Sequence, residues 1–172
     1  MKINWLQYES GGAYDEMVAE IGHPRAAAAR LAEYLADLGI SRLQRRQAAA
    51  ERAILEMGVT FTVYSEGQNI DRAWPCDVIP RTLAADEWDS TEAGLKQRLR
   101  ALNCFIADVY GEQRFIKAGG IPAAVVMSSG NFLPPCQGAR PPHDVWANIC
   151  GSDLIRGDDG TLYVLEDNLR VP

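Results

Sequence analysis

The stretch Thr161-Leu-Tyr-Val-Leu-Glu-Asp-Asn-Leu-Arg170 reads as a β-strand, and its pairing decides the fold of the region around it. On a regular strand side chains alternate, so Leu162, Val164, Glu166 and Asn168 share one face while Tyr163, Leu165 and Asp167 share the other. Asp153 lies thirteen residues before Glu166, on the expected partner strand. That partner is expected to start at Asp144 and to run, through a bulge at Gly151, to Arg156. Gly157-Asp-Asp-Gly160 between the two is a turn signal for antiparallel strands. If Arg156 faces Thr161 across the turn, Asp153 lies opposite Val164 and diagonal to Glu166. Asp153, Glu166 and Asn168 then converge on one side, with diagonal neighbours roughly 7–8 Å apart. A slip of one residue would send Asp153 to the other face.

Oxygen-bearing side chains gathered on an apolar strand are costly if buried without a partner. A hard cation such as Mg²⁺, which prefers oxygen ligands, is one such partner. Ordinary solvated charges on an exposed sheet face are the other reading of Asp153 and Glu166. Asn168 fits that second reading less well, because Asn is depleted from strands.

Upstream, residues 1–22 read as an irregular lead-in. Pro24 suits the first position of a helix and Gly39 its end, with Leu31, Tyr34, Leu35 and Leu38 at helical spacing. Ser41-Arg-Leu-Gln44 fits a capping box for a second helix that stops at Gly58. Val59-Thr-Phe-Thr-Val-Tyr64 is a clear strand, Ser65 to Arg72 a polar loop, and Cys76-Asp-Val-Ile79 a short strand or extended run. Asp86 is placed to cap a long helix to about Tyr110, with Leu95, Leu99, Leu102, Ile106 and Val109 forming its apolar stripe. Ser128 to Pro142 reads as a loop. The expected class is α+β: N-terminal helices, a long central helix and a mainly antiparallel sheet ending in a β-hairpin, in a single domain over 1–172.

A net charge of −6 and a pI near 4.9 argue against non-specific nucleic-acid binding, which needs a basic footprint. No apolar run reaches bilayer-spanning length and the start is too polar for a signal peptide, so the expectation is a cytoplasmic protein without membrane or nucleic-acid partners. Cys76, Cys104, Cys136 and Cys150 are widely spaced and accompanied by only two His, which argues against a zinc site and for free, partly buried thiols.

Tyr14-Asp-Glu-Met17, Phe61-Thr-Val-Tyr64, Pro75-Cys-Asp-Val-Ile-Pro-Arg81, Gly94-Leu-Lys-Gln-Arg98 with Ala101-Leu-Asn103, Arg140-Pro-Pro-His143 and Val164-Leu-Glu-Asp-Asn-Leu-Arg170 occur in that order. Together they resemble the start of circularly permuted type 2 ATP-grasp proteins, a branch akin to the synthetase part of glutathionylspermidine synthase. The resemblance implies a partial ATP-grasp-like fold and an ATP-dependent carboxylate–amine ligase chemistry. In such enzymes a carboxylate is phosphorylated by ATP, and an amine then attacks the acylphosphate.

By that resemblance Asp153, Glu166 and Asn168 would hold two Mg²⁺ ions, and Asn168 and Arg170 would contact the nucleotide. Arg170, and more weakly Arg81, would act as catalytic cations toward phosphate or carboxylate. His143 is expected to position or hydrogen-bond rather than to catalyse. The implied partners are a nucleotide and a small peptide or amino-acid-like substrate. Proteins resembling this stretch continue well past the Asn-Leu-Arg motif. The chain is therefore expected to be the N-terminal portion of such a ligase, truncated or completed by a separately encoded C-terminal ATP-grasp part, and inactive alone. A non-catalytic interaction module derived from the same fold is the alternative, and an unstable remnant with no activity is a third.

Overall fold

The structure, a computed structural model, describes residues 3–65 and 68–170. Backbone contacts divide the chain into two compact units, Met1–Ala84 and Ala85–Pro172.

In the first unit the lead-in is organised by Asp15. Its carboxylate accepts the amides of Met17 and Val18 at 2.7 Å and the Tyr8 hydroxyl at 2.5 Å. This turn feeds a minimal antiparallel pair, β1 (Val18–Glu20) and β2 (His23–Pro24). Pro24 therefore does not open a helix; it sits in a two-stranded ladder, whose open edge tolerates a missing N–H. A 3₁₀ turn over Ala26–Ala28 leads instead into α1 (Ala29–Leu38). Among the described residues the buried hydrophobic side chains of this unit are Val18, Ala28, Ala32 and Leu35, and the Trp5 indole donates to the Ala32 carbonyl at 3.1 Å. Tyr34, expected on the inner stripe, is 49% exposed, while Ala28, Ala32 and Leu35 are the residues buried.

Gly39, at φ 75 and ψ 157, separates α1 from α2 (Ile40–Glu56). Glycine adopts that positive φ without a Cβ penalty. Ser41 lies inside α2 and no side chain caps its start, so the capping-box reading fails. β3 (Thr60–Ser65) matches the expected strand, but the expected polar loop after it is largely β4 (Gln68–Ala73), paired antiparallel from Thr60↔Ala73 to Ser65↔Gln68. Pairing with β3 overrides the poor strand preference of Gln-Asn-Ile-Asp-Arg. Cys76 to Ile79 bends at Val78 and Ile79, where the Ile79 amide donates to the Asp77 carboxylate at 2.8 Å, and it is paired with no described strand. The Gln47 side chain from α2 stands in for one, donating to the Cys76 carbonyl at 2.6 Å and accepting the Val78 amide at 3.1 Å.

The second unit is built on α3 (Ala85–Tyr110), the long helix expected; it starts at Ala85, so Asp86 is not its cap but lies with Glu87 inside the first turn, where negative charge suits the helix dipole. Val109 is buried and Leu95, Leu99, Leu102 and Ile106 are half-buried. Two short helices follow, α4 (Arg114–Lys117) and α5 (Ala123–Met127). Asp108 caps α4, its carboxylate accepting the amides of Arg114 and Phe115 at 2.9 Å.

The expected strand over Asp144 to Cys150 is absent. His143 and Asp144 sit at φ 58 and φ 57, which breaks the extended path. The amides of Trp146 and Ala147 both go to the Asn103 side-chain oxygen, at 2.8 and 3.0 Å. The Trp146 ring stacks on Tyr110 at 5.1 Å. Phe132 also stacks on Tyr110, at 5.3 Å, and the Leu133 amide donates to the Tyr110 hydroxyl at 3.0 Å. The segment's polar and aromatic groups are thus committed to α3 rather than to a strand. The hairpin β5 (Gly151–Arg156) and β6 (Leu162–Asn168) closes the unit.

The class is α+β with antiparallel pairing, as expected, and the described residues form three separate two-stranded ladders. Among the described residues no helix is long and apolar enough to cross a membrane. All four cysteines are free, but Cys76 and Cys104 are exposed rather than partly buried.

Asn103→Ala removes the acceptor of two amides at once. It is expected to destabilise the chain by about 1–3 kcal/mol in urea and to speed amide exchange at Trp146 and Ala147; unchanged exchange at both would show that the clamp is not holding them.

Candidate functional site

The terminal hairpin differs from its simplest reading in two compensating ways. Arg156 pairs with Leu162, not Thr161, so the ladder begins one residue out of the expected register. A bulge between Leu154 and Asp153 then leaves Leu165 as an extra residue on β6, since Leu154 opposes Val164 while Asp153 opposes Glu166. Asp153 and Glu166 become direct cross-strand partners, and Asn168, opposite Gly151, falls on the same face. The expected convergence of Asp153, Glu166 and Asn168 is therefore reached, by a bulge rather than a diagonal.

The bulge also corrects the assignment of faces. Leu162 and Val164 share a face with Asp167, Ser152, Leu154 and Arg156, and all six of these are half-buried. The opposite face carries Asp153, Glu166 and Asn168 with Ile155 and Tyr163, the last two 52% and 50% exposed. The oxygen donors thus look outward.

The inner face is tied to α3 by two ion pairs. Arg156 meets Glu87 at 2.5 Å and also donates to the Gly160 carbonyl at 2.6 Å. Arg98 meets Asp167 at 2.5 Å, and the Ser152 hydroxyl donates to the other Asp167 oxygen at 2.8 Å. Glu87 and Arg98 are eleven residues apart on the helix, a rise of roughly 16 Å. Arg156 and Ser152 are four residues apart on the strand, roughly 13 Å. The two spacings match well enough for the hairpin to lie along the helix. The Asp167 side chain is only 7% exposed. Desolvation pushes its carboxyl up, but the hydrogen bonds from Ser152 and Arg98 and the Arg98 charge outweigh it and hold the group below the usual carboxylate range. With Asp167 clamped inward, Glu166 and Asn168 on either side must point outward.

On the outward face the Asn168 amide nitrogen donates to Glu166 Oε1 at 3.0 Å. Its amide oxygen has no protein partner among the described residues. Tyr163 is committed to Asp159 in the turn at 2.9 Å; that bond pushes the phenol up. Among the described residues no group of three or more His, Cys, Asp or Glu side chains could hold a metal; this set has two carboxylates and one amide oxygen. Three oxygen donors on one face suit Mg²⁺, which keeps water and phosphate oxygens in its remaining positions.

Arg170, just beyond β6, is exposed and approaches the Asn131 side-chain oxygen only at 3.5 Å. Arg81 belongs to the first unit, where its guanidinium grips both Glu16 carboxylate oxygens, Nε reaching Oε2 at 2.6 Å and Nη2 reaching Oε1. His143 lies in the 3₁₀ turn Pro142–Asp144. Sequence reasoning missed the roles of Arg98, Asp167 and Asn103. Their only signal was that each lies within one of the ordered motifs.

An α+β chain with antiparallel strand pairs is consistent with a partial ATP-grasp-like fold. The family model of circularly permuted ATP-grasp type 2 matches residues 80–172, and the chain belongs to that family. An uncharacterised protein of Synechocystis is 46% identical over 165 residues, covering 96% of this chain and 34% of that protein. An uncharacterised protein of Mycobacterium tuberculosis is 39% identical over 160 residues, covering 93% of this chain and 28% of its own length. A Frankia alni protein named "Putative glutamate--cysteine ligase 2-3" is 40% identical over 169 residues, covering 96% of this chain and 19% of itself. The chain thus spans about a third or less of the curated relatives it matches. No solved structure matches it significantly.

Asp167→Asn is expected to lower stability at pH 7 by about 1–3 kcal/mol. Because the folded carboxyl is held low, its contribution is present above the ordinary carboxylate pKa near 4 and is lost as pH falls through the folded value. Urea midpoints of wild type and variant should therefore converge as the pH is taken down through that folded value. A gap that stays constant into acid would remove the electrostatic account.

Proposed function

We propose that this chain supplies the metal-holding part of an ATP-dependent carboxylate–amine ligase, related in specificity to glutathionylspermidine synthase and inactive without the rest of the enzyme. The observation that carries the reading is the outward face on which Asp153 opposes Glu166 beside Asn168. The reaction proposed is two transfers. A substrate carboxylate oxygen attacks the γ-phosphorus of ATP and ADP leaves; the amine nitrogen then attacks the acyl carbon, phosphate leaves and the amine loses a proton.

Asp153, Glu166 and the Asn168 amide oxygen would hold Mg²⁺. When bound, the metal neutralises charge on the nucleotide phosphates. Arg170, at the end of the same strand and free of any close carboxylate among the described residues, adds positive charge for a phosphate oxygen. Arg81 would have to exchange its Glu16 partner for a substrate anion to act as a catalytic cation, which makes it the weaker of the two. Nothing in this chemistry requires His143 to move a proton.

A second reading, a non-catalytic interaction module, draws on Ile155, Tyr163 and Leu165, which expose 52%, 50% and 68% of their surface around the carboxylates.

Calorimetry with Mn²⁺ and with Mg²⁺ plus ATP separates the two. Binding is expected to weaken at least about tenfold in Asp153→Ala and in Glu166→Ala, each removing a charged ligand, while the chain alone releases no ADP. Metal binding of undiminished strength in both variants would reject the assignment. Sustained ADP release by the chain alone would reject its dependence on further ATP-grasp residues of the kind its longer relatives have room for.

A further inference from the structure

At the far end of α3 from the first turn, a solvent-open cavity of about 550 Å³ lies between the helix and the Gly138–Trp146 loop. Five charged residues line it: Asp108, Glu112, Arg114, Arg140 and Asp144. Three are already engaged. Asp108 accepts two amides of α4 at 2.9 Å, and Glu112 pairs with Arg114 at 2.8 Å. Arg140 and Asp144 have no side-chain partner among the described residues, and they do not pair with each other across the cavity they share. Trp146 supplies an aromatic wall.

The backbone that delivers Asp144 is strained. His143 and Asp144 are consecutive non-glycine residues at φ 58 and φ 57, a backbone region that L side chains adopt only at a cost. The strain is held in place by the Asn103 clamp on the Trp146 and Ala147 amides and by the Trp146–Tyr110 stack. A relaxed, extended path through these residues would carry the Asp144 side chain elsewhere.

We propose that this cavity is a subsite for a small zwitterion, an amino acid or short peptide with one ammonium and one carboxylate. Arg140 receives the carboxylate through its planar fork, Asp144 receives the ammonium, and Trp146 packs against the apolar carbons between them. A volume of this size exceeds one amino acid and suits a small peptide. As the substrate site of a ligase, the proposal rests on the function given above; as a binding site it does not, since neither nucleotide nor metal is needed to fill it.

The test is a ¹H–¹⁵N NMR titration of the whole chain with L-alanyl-L-alanine, its N-acetyl derivative and its C-terminal amide, without ATP or metal. The dipeptide is expected to shift the Trp146 indole and the Ala147 amide saturably, and capping either end to weaken binding about tenfold or more. Arg140→Ala should abolish discrimination between dipeptide and its amide. Asp144→Asn, whose side chain tolerates the left-handed backbone, should abolish discrimination against the N-acetyl form. Shifts that never saturate, equal binding of all three probes, or wild-type discrimination in both variants would overturn the proposal. If the dipeptide fails while the Mn²⁺ titration at Asp153 and Glu166 succeeds, only the subsite falls; the reverse pattern removes the ligase reading and leaves a zwitterion site.

Discussion

Between Val164 and Glu166, β6 sets two residues against one of β5, and Leu165 is left without a cross-strand partner. Without that extra residue in an otherwise identical ladder, Asp153 would face Leu165, and Glu166 would turn toward α3 with Leu162 and Val164. With it, the apolar residues near the turn and Asp167 near the end can both face the helix, although their spacing is odd. The outward placement of Asp153, Glu166 and Asn168 is the other side of the same change of phase. Bulges commonly re-aim side chains in this way next to functional sites.

The bulge would be one register among several if nothing pinned it, because a short hairpin is marginal alone. Here α3 acts as a ruler. Arg156 on Glu87 fixes the turn end, and Arg98 on Asp167 fixes the open end. A slip of one residue would pull the Asp167 carboxylate away from both Arg98 and Ser152, leaving a largely buried charge without partners. The same helix holds the loop before the hairpin, through Asn103 and Tyr110. One long element therefore sets both the face of the oxygen donors and the shape of the cavity near Trp146.

Long periodic segments were legible in the sequence, and pairing between distant residues was not. The apolar stripe of α3, its length and the acidic first turn follow from helical spacing and appear in the structure. The convergence of Asp153, Glu166 and Asn168 was legible as an outcome but not as a path, because strand alternation carries no warning of an inserted residue. Asp144 to Cys150 looked like a strand on composition. It fails because Asn103, over forty residues away, takes two of its amides. β4 was hidden for the converse reason, a polar segment made into a strand by its partner. Pro24 and Ser41 carried standard helix-start signals that were overridden by the small ladder before α1 and by Gly39.

Covering the outward face and occupying it with a cation are physically coupled. Asp153 and Glu166 sit opposite each other on a face that also exposes Ile155, Tyr163 and the bulged Leu165. In water the two negative charges are screened and the apolar groups are the unfavourable component. Placing another protein surface over the face reverses that balance: the apolar groups gain, while two like charges lose hydration and repel more strongly in the lower dielectric. A divalent cation held between them removes the repulsion and leaves the apolar gain. Within the proposed ligase, closure over this hairpin and binding of metal nucleotide would therefore favour one another through the same few residues, and the bulge that brings carboxylates and apolar groups onto one face is what makes the coupling possible.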